Sequence, residues 1–210
     1  MAVEDFFNKV ITVRMKEDRS ALDIIDQTLL PGTIKRISLS TKEEIWEAIK
    51  KLRVRGAPAI GASAAYGLAL LSSRIDTDEY GAFYEEFKKL KEYLASSRPT
   101  AVNLFWALNR MESTVTANKE KTVADIKEIL FHEADKIREE DVGISRSIGE
   151  IGFGLLKELK RDGKEIGILT HCNAGKLATA KYGTATAPMY IALEKGWPGT
   201  AMHVYCDETR

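Results

Sequence analysis

Ile166-Gly167-Ile168-Leu169 runs directly into Thr170-His171-Cys172-Asn173-Ala174-Gly175-Lys176-Leu177-Ala178-Thr179, and no other segment so narrows what this chain can fold into. An apolar run, a turn of small and polar residues, and a following stretch rich in Ala read as strand, tight turn and helix. Ala201 to Cys206 reads as a second strand, which makes one βαβ unit of the kind joined by a right-handed crossover. Ligands of open α/β sheets bind outside the carboxyl ends of the strands, where Cys172 falls. A thiol at a helix N-terminus also feels the positive end of the helix dipole, which favours the thiolate. Read more plainly, Cys172 is a small buried hydrophobe. His171 is a base, a hydrogen-bond donor or a packed strand end, Asn173 and Gly175 shape the turn, and Lys176 is an exposed helix residue.

The residues before this unit are of a different kind. Val10-Ile11-Thr12-Val13 and Ile34 to Leu39 suit short strands around the Pro31-Gly32 turn. Thr41 and Glu44 fit a capping box, followed by apolar Ile45, Ala48, Ile49 and Leu52 at helical spacing. Pro58 suits the first turn of a helix over Ala59 to Leu71, whose Gly and Ala residues fit a buried position. Phe83, Phe87, Leu90 and Leu94 mark an amphipathic helix, and Val102, Phe105, Trp106 and Leu108 another. Ile126, Ile129, Leu130 and Ile137 mark a further helix starting near Thr122. A last one carries Ile144, Ile148, Ile151 and Leu155 and ends at Arg161-Asp162-Gly163. The expected class is α/β. An α+β domain of helices with a small antiparallel sheet spans 1–140, and the truncated start of a Rossmann-like parallel sheet spans 141–210.

Charge and cysteine content remove several functional classes. Lys plus Arg and Asp plus Glu both number 31, so no global field draws in nucleic acid or an anionic membrane. An anionic ligand must then be held by local groups. Two cysteines, Cys172 and Cys206, are too few for a disulfide framework. Adjacent parallel strands would bring them near one another, but without tight His or Cys spacing they make no zinc site. Neither a P-loop nor a GxGxxG fingerprint occurs, and neither a signal peptide nor an apolar stretch of membrane-spanning length is present. The expectation is a cytoplasmic protein without metal or cofactor.

Two further segments are candidates for anion binding. Arg55-Gly56-Ala57 joins an Arg fork to a Gly that permits close approach and to a helix N-terminus with free N–H groups, a combination that can hold phosphate. The same residues also fit a tight turn with a solvated Arg. Arg98-Pro99-Thr100 with Asn103 repeats the arrangement, or is a helix cap.

Taken in order, Leu29-Leu30-Pro31, Val54-Arg55-Gly56-Ala57-Pro58-Ala59-Ile60-Gly61, Arg98-Pro99-Thr100-Ala101-Val102-Asn103-Leu104, Thr170-His171-Cys172-Asn173-Ala174-Gly175 and Asp207-Glu208-Thr209-Arg210 resemble the methylthioribose-1-phosphate isomerase family. That family shares its fold with the regulatory subunits of initiation factor 2B and with ribose-1,5-bisphosphate isomerase. The resemblance implies a homodimer that interconverts 5-methylthioribose 1-phosphate and 5-methylthioribulose 1-phosphate in methionine salvage. It implies substrate binding by Arg55, Gly56, Ala57 and Arg98, and a catalytic thiol at Cys172, with His171, Asn173 and Gly175 in support. The family's catalytic Asp and further binding residues match positions beyond Arg210. The 210 residues are therefore expected to be part of a longer or split protein, inactive alone and completed by a second polypeptide. A ribose-1,5-bisphosphate isomerase and a non-catalytic regulatory subunit are the competing readings. The first would need extra cations for a second phosphate, and the second would not need the thiol.

Overall fold

The structure is a computed structural model. It describes residues 10–159, 165–198 and 202–207. The first part holds an antiparallel sheet of β1 (Val13–Met15), β2 (Leu22–Ile25) and β3 (Arg36–Leu39), in the order β1-β2-β3. Strand β2 was not expected, because Leu22-Asp23-Ile24-Ile25 is too short and unalternating to read alone. All four of its residues are buried as the central strand, and the Ser38 hydroxyl donates to Asp23 at 2.7 Å.

Five helices follow: α1 (Lys42–Lys50), α2 (Ala57–Ser73), α3 (Tyr80–Ala95), α4 (Val102–Ala117) and α5 (Val123–Leu159). The α1 capping box is present, with the Glu44 N–H donating to the Thr41 hydroxyl and the Thr41 N–H to the Glu44 carboxylate. Helix α2 is buried from Ala59 to Ser72, the core of the helical layer. Its small residues let neighbours close in, and a Cβ on Gly61 would stand 3.1 Å from the Asn103 carbonyl at the start of α4.

The two helices expected across 122–160 are one helix of 37 residues. No Pro interrupts this segment, and Gly143 is tolerated within the helix at a cost of about 1 kcal/mol relative to Ala. The N-terminal half of α5 buries Ile126, Leu130 and Ile137 in the main core. Its C-terminal half buries Phe153 and Leu156 in a second cluster with Tyr182, Ile191 and Met202. Ile144, Ile148, Ile151 and Leu155 do not form the packing face: they are exposed, and Leu159 extends the stripe. The packed face is instead the one with Ser145 and Gly149, against α6 (Ala187–Glu194).

Strands β4 (Ile166–His171) and β5 (Met202–Asp207) pair in parallel, from Ile166 opposite Met202 to His171 opposite Asp207. Cys206 sits opposite Thr170, two residues short of Cys172, and both thiols are free. The expected helix end at Arg161-Asp162-Gly163 and the Glu208-Thr209-Arg210 segment lie outside the described residues. Among the described residues no helix is long and apolar enough to cross a membrane.

Candidate functional site

Three segments remote in sequence line one cleft of about 410 Å³, within the range of small-molecule sites. Arg55, Gly56 and Ala57 come from the loop into α2, and Arg98 and Thr100 from the loop before α4. Asn103 comes from the first turn of α4, and Asn173 from the turn after β4. Among the described residues that line it none is acidic, and two are arginines. Two larger hollows, of about 510 and 530 Å³, lie elsewhere. They mix charges, Arg74 with Asp76 and Glu86 in one and Arg14 and Lys16 with Glu17, Asp18 and Asp23 in the other, which cancels the local field.

The loop that carries Arg55 is held from behind. Arg53 donates to the buried Asp26 at 2.5 Å and to Glu47 at 3.0 Å. Burial alone would raise the Asp26 carboxyl, but hydrogen bonds from Thr28 and the Arg53 guanidinium outweigh it and hold it below the usual range. Gly56 then turns the chain at φ +89° into α2, and no side chain caps that helix. The α2 N-terminus therefore presents its N–H groups at the cleft beside Arg55. Arg98 sits in a loop whose following helix α4 is not capped by any side chain either, so the helix-cap alternative for Arg98-Pro99-Thr100 falls away.

The 172–186 segment corrects the expected strand-turn-helix. A three-residue 3-10 helix at Lys176–Ala178 follows the turn, and α6 begins only at Ala187. The helix dipole expected at the Cys172 sulfur is therefore not aimed there. Cys172 is exposed and takes φ +69°, a left-handed conformation uncommon outside Gly and Asn. The turn closes on itself through the Ala174 N–H to the Cys172 carbonyl at 2.9 Å and the Thr184 N–H to the Ala174 carbonyl at 2.9 Å. Gly175 precedes the 3-10 helix, and His171 is exposed at the end of β4.

Distant residues dock this turn onto the rest of the molecule. The Thr12 hydroxyl donates to the Lys176 carbonyl at 3.0 Å, and the Gln27 amide donates to the Leu177 carbonyl at 2.9 Å. The Ala180 N–H donates to the Asp141 carboxylate at 2.6 Å. None of these three anchors was singled out from the sequence. Each is a lone polar residue whose partner lies 39 to 164 positions away, so no local pattern marks it. Lys176 was expected to be exposed and is buried, at 4% exposure. Burial, with the charge of Lys181 adding to it, pushes its ammonium down to about 8.

The fold and cleft define an α/β protein with a charged pocket suited to a small anion, at the junction of a helical domain and a parallel sheet. The chain belongs to the initiation factor 2 subunit family, whose profile matches residues 53–210. Over 198 residues it is 53% identical to methylthioribose-1-phosphate isomerase of Parabacteroides distasonis, covering 94% of this chain and 56% of that protein. Over 202 residues it is 50% identical to 5-deoxyribose 1-phosphate isomerase of Clostridium botulinum, covering 96% and 55%. Among solved structures, 5-methylthioribose 1-phosphate isomerase from Pyrococcus horikoshii superposes with a TM-score of 0.83 at 33% identity, over 98% of this chain and 62% of that one. The delta subunit of translation initiation factor eIF-2B from A. fulgidus superposes with 0.79 at 40% identity, over 94% and 54%. The chain thus spans about half the length of the curated relatives it matches.

Proposed function

We propose that this chain belongs to an aldose-ketose isomerase acting on a 5-substituted ribose 1-phosphate, of which 5-methylthioribose 1-phosphate is the leading substrate. The observation that carries this is the convergence of Arg55, Gly56, Ala57, Arg98 and Asn173 on one cleft, with Cys172 adjoining Asn173 in the chain. The relatives named as isomerases support it.

The phosphate sits at the α2 N-terminus between the Arg55 and Arg98 guanidinium groups. Because C1 carries the phosphate, the ring cannot open as a free aldose does. Opening breaks the bond from C1 to the ring oxygen, which takes up a proton. A hydrogen moves from C2 to C1, and the C2 hydroxyl gives up its proton to leave the ketone. Cys172 is the group we assign to this proton traffic, with His171 in support and Asn173 and Gly175 holding the turn. The clamp fixes the sugar so that these steps occur within one bound geometry.

We assign 1–140 and 141–210 to two domains, since the main core reaches Ile137 along α5 and the second cluster takes up Phe153. We further propose a cytoplasmic homodimer. The exposed stripe of Ile144, Ile148, Ile151, Leu155 and Leu159 would meet a second copy. Leu169, 82% exposed, and its neighbour Tyr205 mark a sheet face that further polypeptide would cover while supplying the second acid–base group. Native and denaturing mass spectrometry of the purified protein would show two copies and any accompanying chain. A monomer of 210 residues with full turnover would refute both proposals.

The superposition on an initiation factor 2B subunit favours a second reading, a sensor of sugar phosphates without turnover. Conversion of 5-methylthioribose 1-phosphate, followed by NMR in the native protein and in Cys172→Ala, decides between them. Lost turnover with retained binding supports the isomerase. Binding without turnover in the native protein, with the completing polypeptide present, supports the sensor.

A further inference from the structure

Helix α5 holds the turn after Cys172 at Asp141. That residue lies between Ile137, buried in the main core, and Ser145 and Gly149 on the face packed against α6. The packing leaves no slack: a Cβ on Gly149 would stand 2.5 Å from the Ile191 Cγ1, and one on Gly152 2.3 Å from the Pro188 Cγ. From this fixed helix the Asp141 carboxylate accepts the Ala180 N–H at 2.6 Å, 39 positions away in the chain. Two residues before Ala180, Ala178 meets Gly56 in the loop that carries Arg55. The Gly183 N–H donates to the Thr179 hydroxyl at 2.8 Å. The Thr184 N–H and the Thr186 hydroxyl both donate to the Ala174 carbonyl, at 2.9 and 3.0 Å, and the Ala174 N–H donates to the Cys172 carbonyl. The segment from Cys172 to Thr186 is thus one closed piece, clasped between α5 and the Arg55 loop.

We propose that Asp141 is a positioning residue of the isomerase: through the Ala180 N–H it holds the turn that carries Cys172 and Asn173 at a fixed distance from the phosphate clamp of Arg55 and Arg98. This rests on the reading of the cleft as the site of a sugar-phosphate isomerase. Asp141 lies outside the lining of the cleft, so its contribution is geometric. A half-buried carboxylate is a costly fastening for a backbone N–H. Burial pushes its carboxyl up from the usual range, while the Ala180 N–H and the charge of Arg138 work against that rise. What the charge provides is a shorter and stronger bond than a neutral acceptor makes. Misplacing a reacting group by about 1 Å can cost about a hundredfold in rate. The phosphate stays held meanwhile, by guanidinium groups carried on other loops.

The test is turnover of 5-methylthioribose 1-phosphate, followed by NMR with the completing polypeptide present and counted per site that binds the sugar phosphate by calorimetry. Asp141→Ala is expected to lower kcat about tenfold to a hundredfold with KM unchanged. Asp141→Asn keeps an oxygen to accept the Ala180 N–H and should recover most of the loss. Asp141→Glu keeps the charge but moves the acceptor by a methylene, so its kcat should fall between the two, and it decides the matter if the alanine variant does not fold. Iodoacetamide reads the turn directly. The alkylation rate of Cys172 should change in Asp141→Ala and return in Asp141→Asn, with the exposed Cys206 on β5 as the unchanged reference. A native kcat or a native Cys172 rate in folded Asp141→Ala overturns the proposal. So does a loss that Asp141→Asn leaves unrelieved, or one accounted for wholly by a rise in KM. Binding without turnover in the native protein refutes the isomerase reading itself, and the positioning role falls with it.

Discussion

Gly56 touches the backbone of Ala178 so closely that a Cβ built on it would stand 2.3 Å from the Ala178 Cα. The two residues belong to the loop that carries Arg55 and to the turn that follows Cys172, so their contact sets the spacing of the two halves of the site. Gly56 also holds φ +89°, which an L side chain rarely adopts. Gly56→Ala is therefore expected to cost about 2–4 kcal/mol through strain and overpacking combined. Denaturant unfolding measures the loss, and ligand titration should show weakened phosphate binding in whatever protein remains folded. A variant as stable as the native chain would mean that the two segments part freely.

Arg55 and Arg98 lie in loops and are half-buried, so removing either should leave the fold intact. Each is expected to contribute about 1.5–3 kcal/mol to phosphate binding, the range of charge-assisted hydrogen bonds. Arg55→Ala and Arg98→Ala should each weaken 5-deoxyribose 1-phosphate about tenfold to a hundredfold by calorimetry. Arg98→Lys should recover only part of the loss, since an ammonium lacks the planar fork. Equal affinity in either alanine variant would move the phosphate elsewhere.

The helices were legible because their signals are local. Capping at Thr41, Pro58 after the Gly56 turn and the Phe83–Leu94 spacing each lie within a few residues of what they determine. The cleft residues were legible as segments, and the fold brings Arg55, Arg98 and Asn173 together. What escaped was set by contacts far along the chain. Lys176 looks like a surface residue until Thr12 and Gln27 are seen to fasten its turn under the N-terminal sheet. The apolar spacing of Ile144 to Leu155 is a true helical face, but periodicity cannot tell a face packed inside the chain from one left exposed.

Cys172 separates chemistry from stability in an unusual way. Its φ of +69° costs a residue with a Cβ about 1–2 kcal/mol, while Gly at the same place adds about 0.5–1 kcal/mol of chain entropy to the unfolded state. Cys172→Gly is thus expected to be as stable as the native protein or up to about 1 kcal/mol more so, with the thiol gone. Thermal unfolding paired with the isomerase assay, run with the completing polypeptide present, would show stability kept and turnover lost. A variant destabilised by more than about 1 kcal/mol would show that the thiol itself packs or bonds in the turn.

Lys176 predicts a pH dependence with a definite sign. Its ammonium titrates near 8 in the folded chain, below the ordinary lysine value of 10.5, so the unfolded state binds the proton more tightly. The charge therefore costs stability below about 8, and stability recovers as pH rises from about 8 toward about 10.5. Lys181 adds to the penalty, while Tyr190 is itself pushed above its usual value by burial and stays neutral through most of this window. Lys176→Met should gain about 2–3 kcal/mol over the native protein at neutral pH, and the gain should shrink steadily toward pH 10. Taking the difference between the two proteins removes the other lysines and tyrosines that titrate in that range, because they are common to both. Urea unfolding at several pH values across the window measures it. A difference that stays flat with pH would mean that Lys176 keeps its proton on folding and meets an anionic partner in the turn.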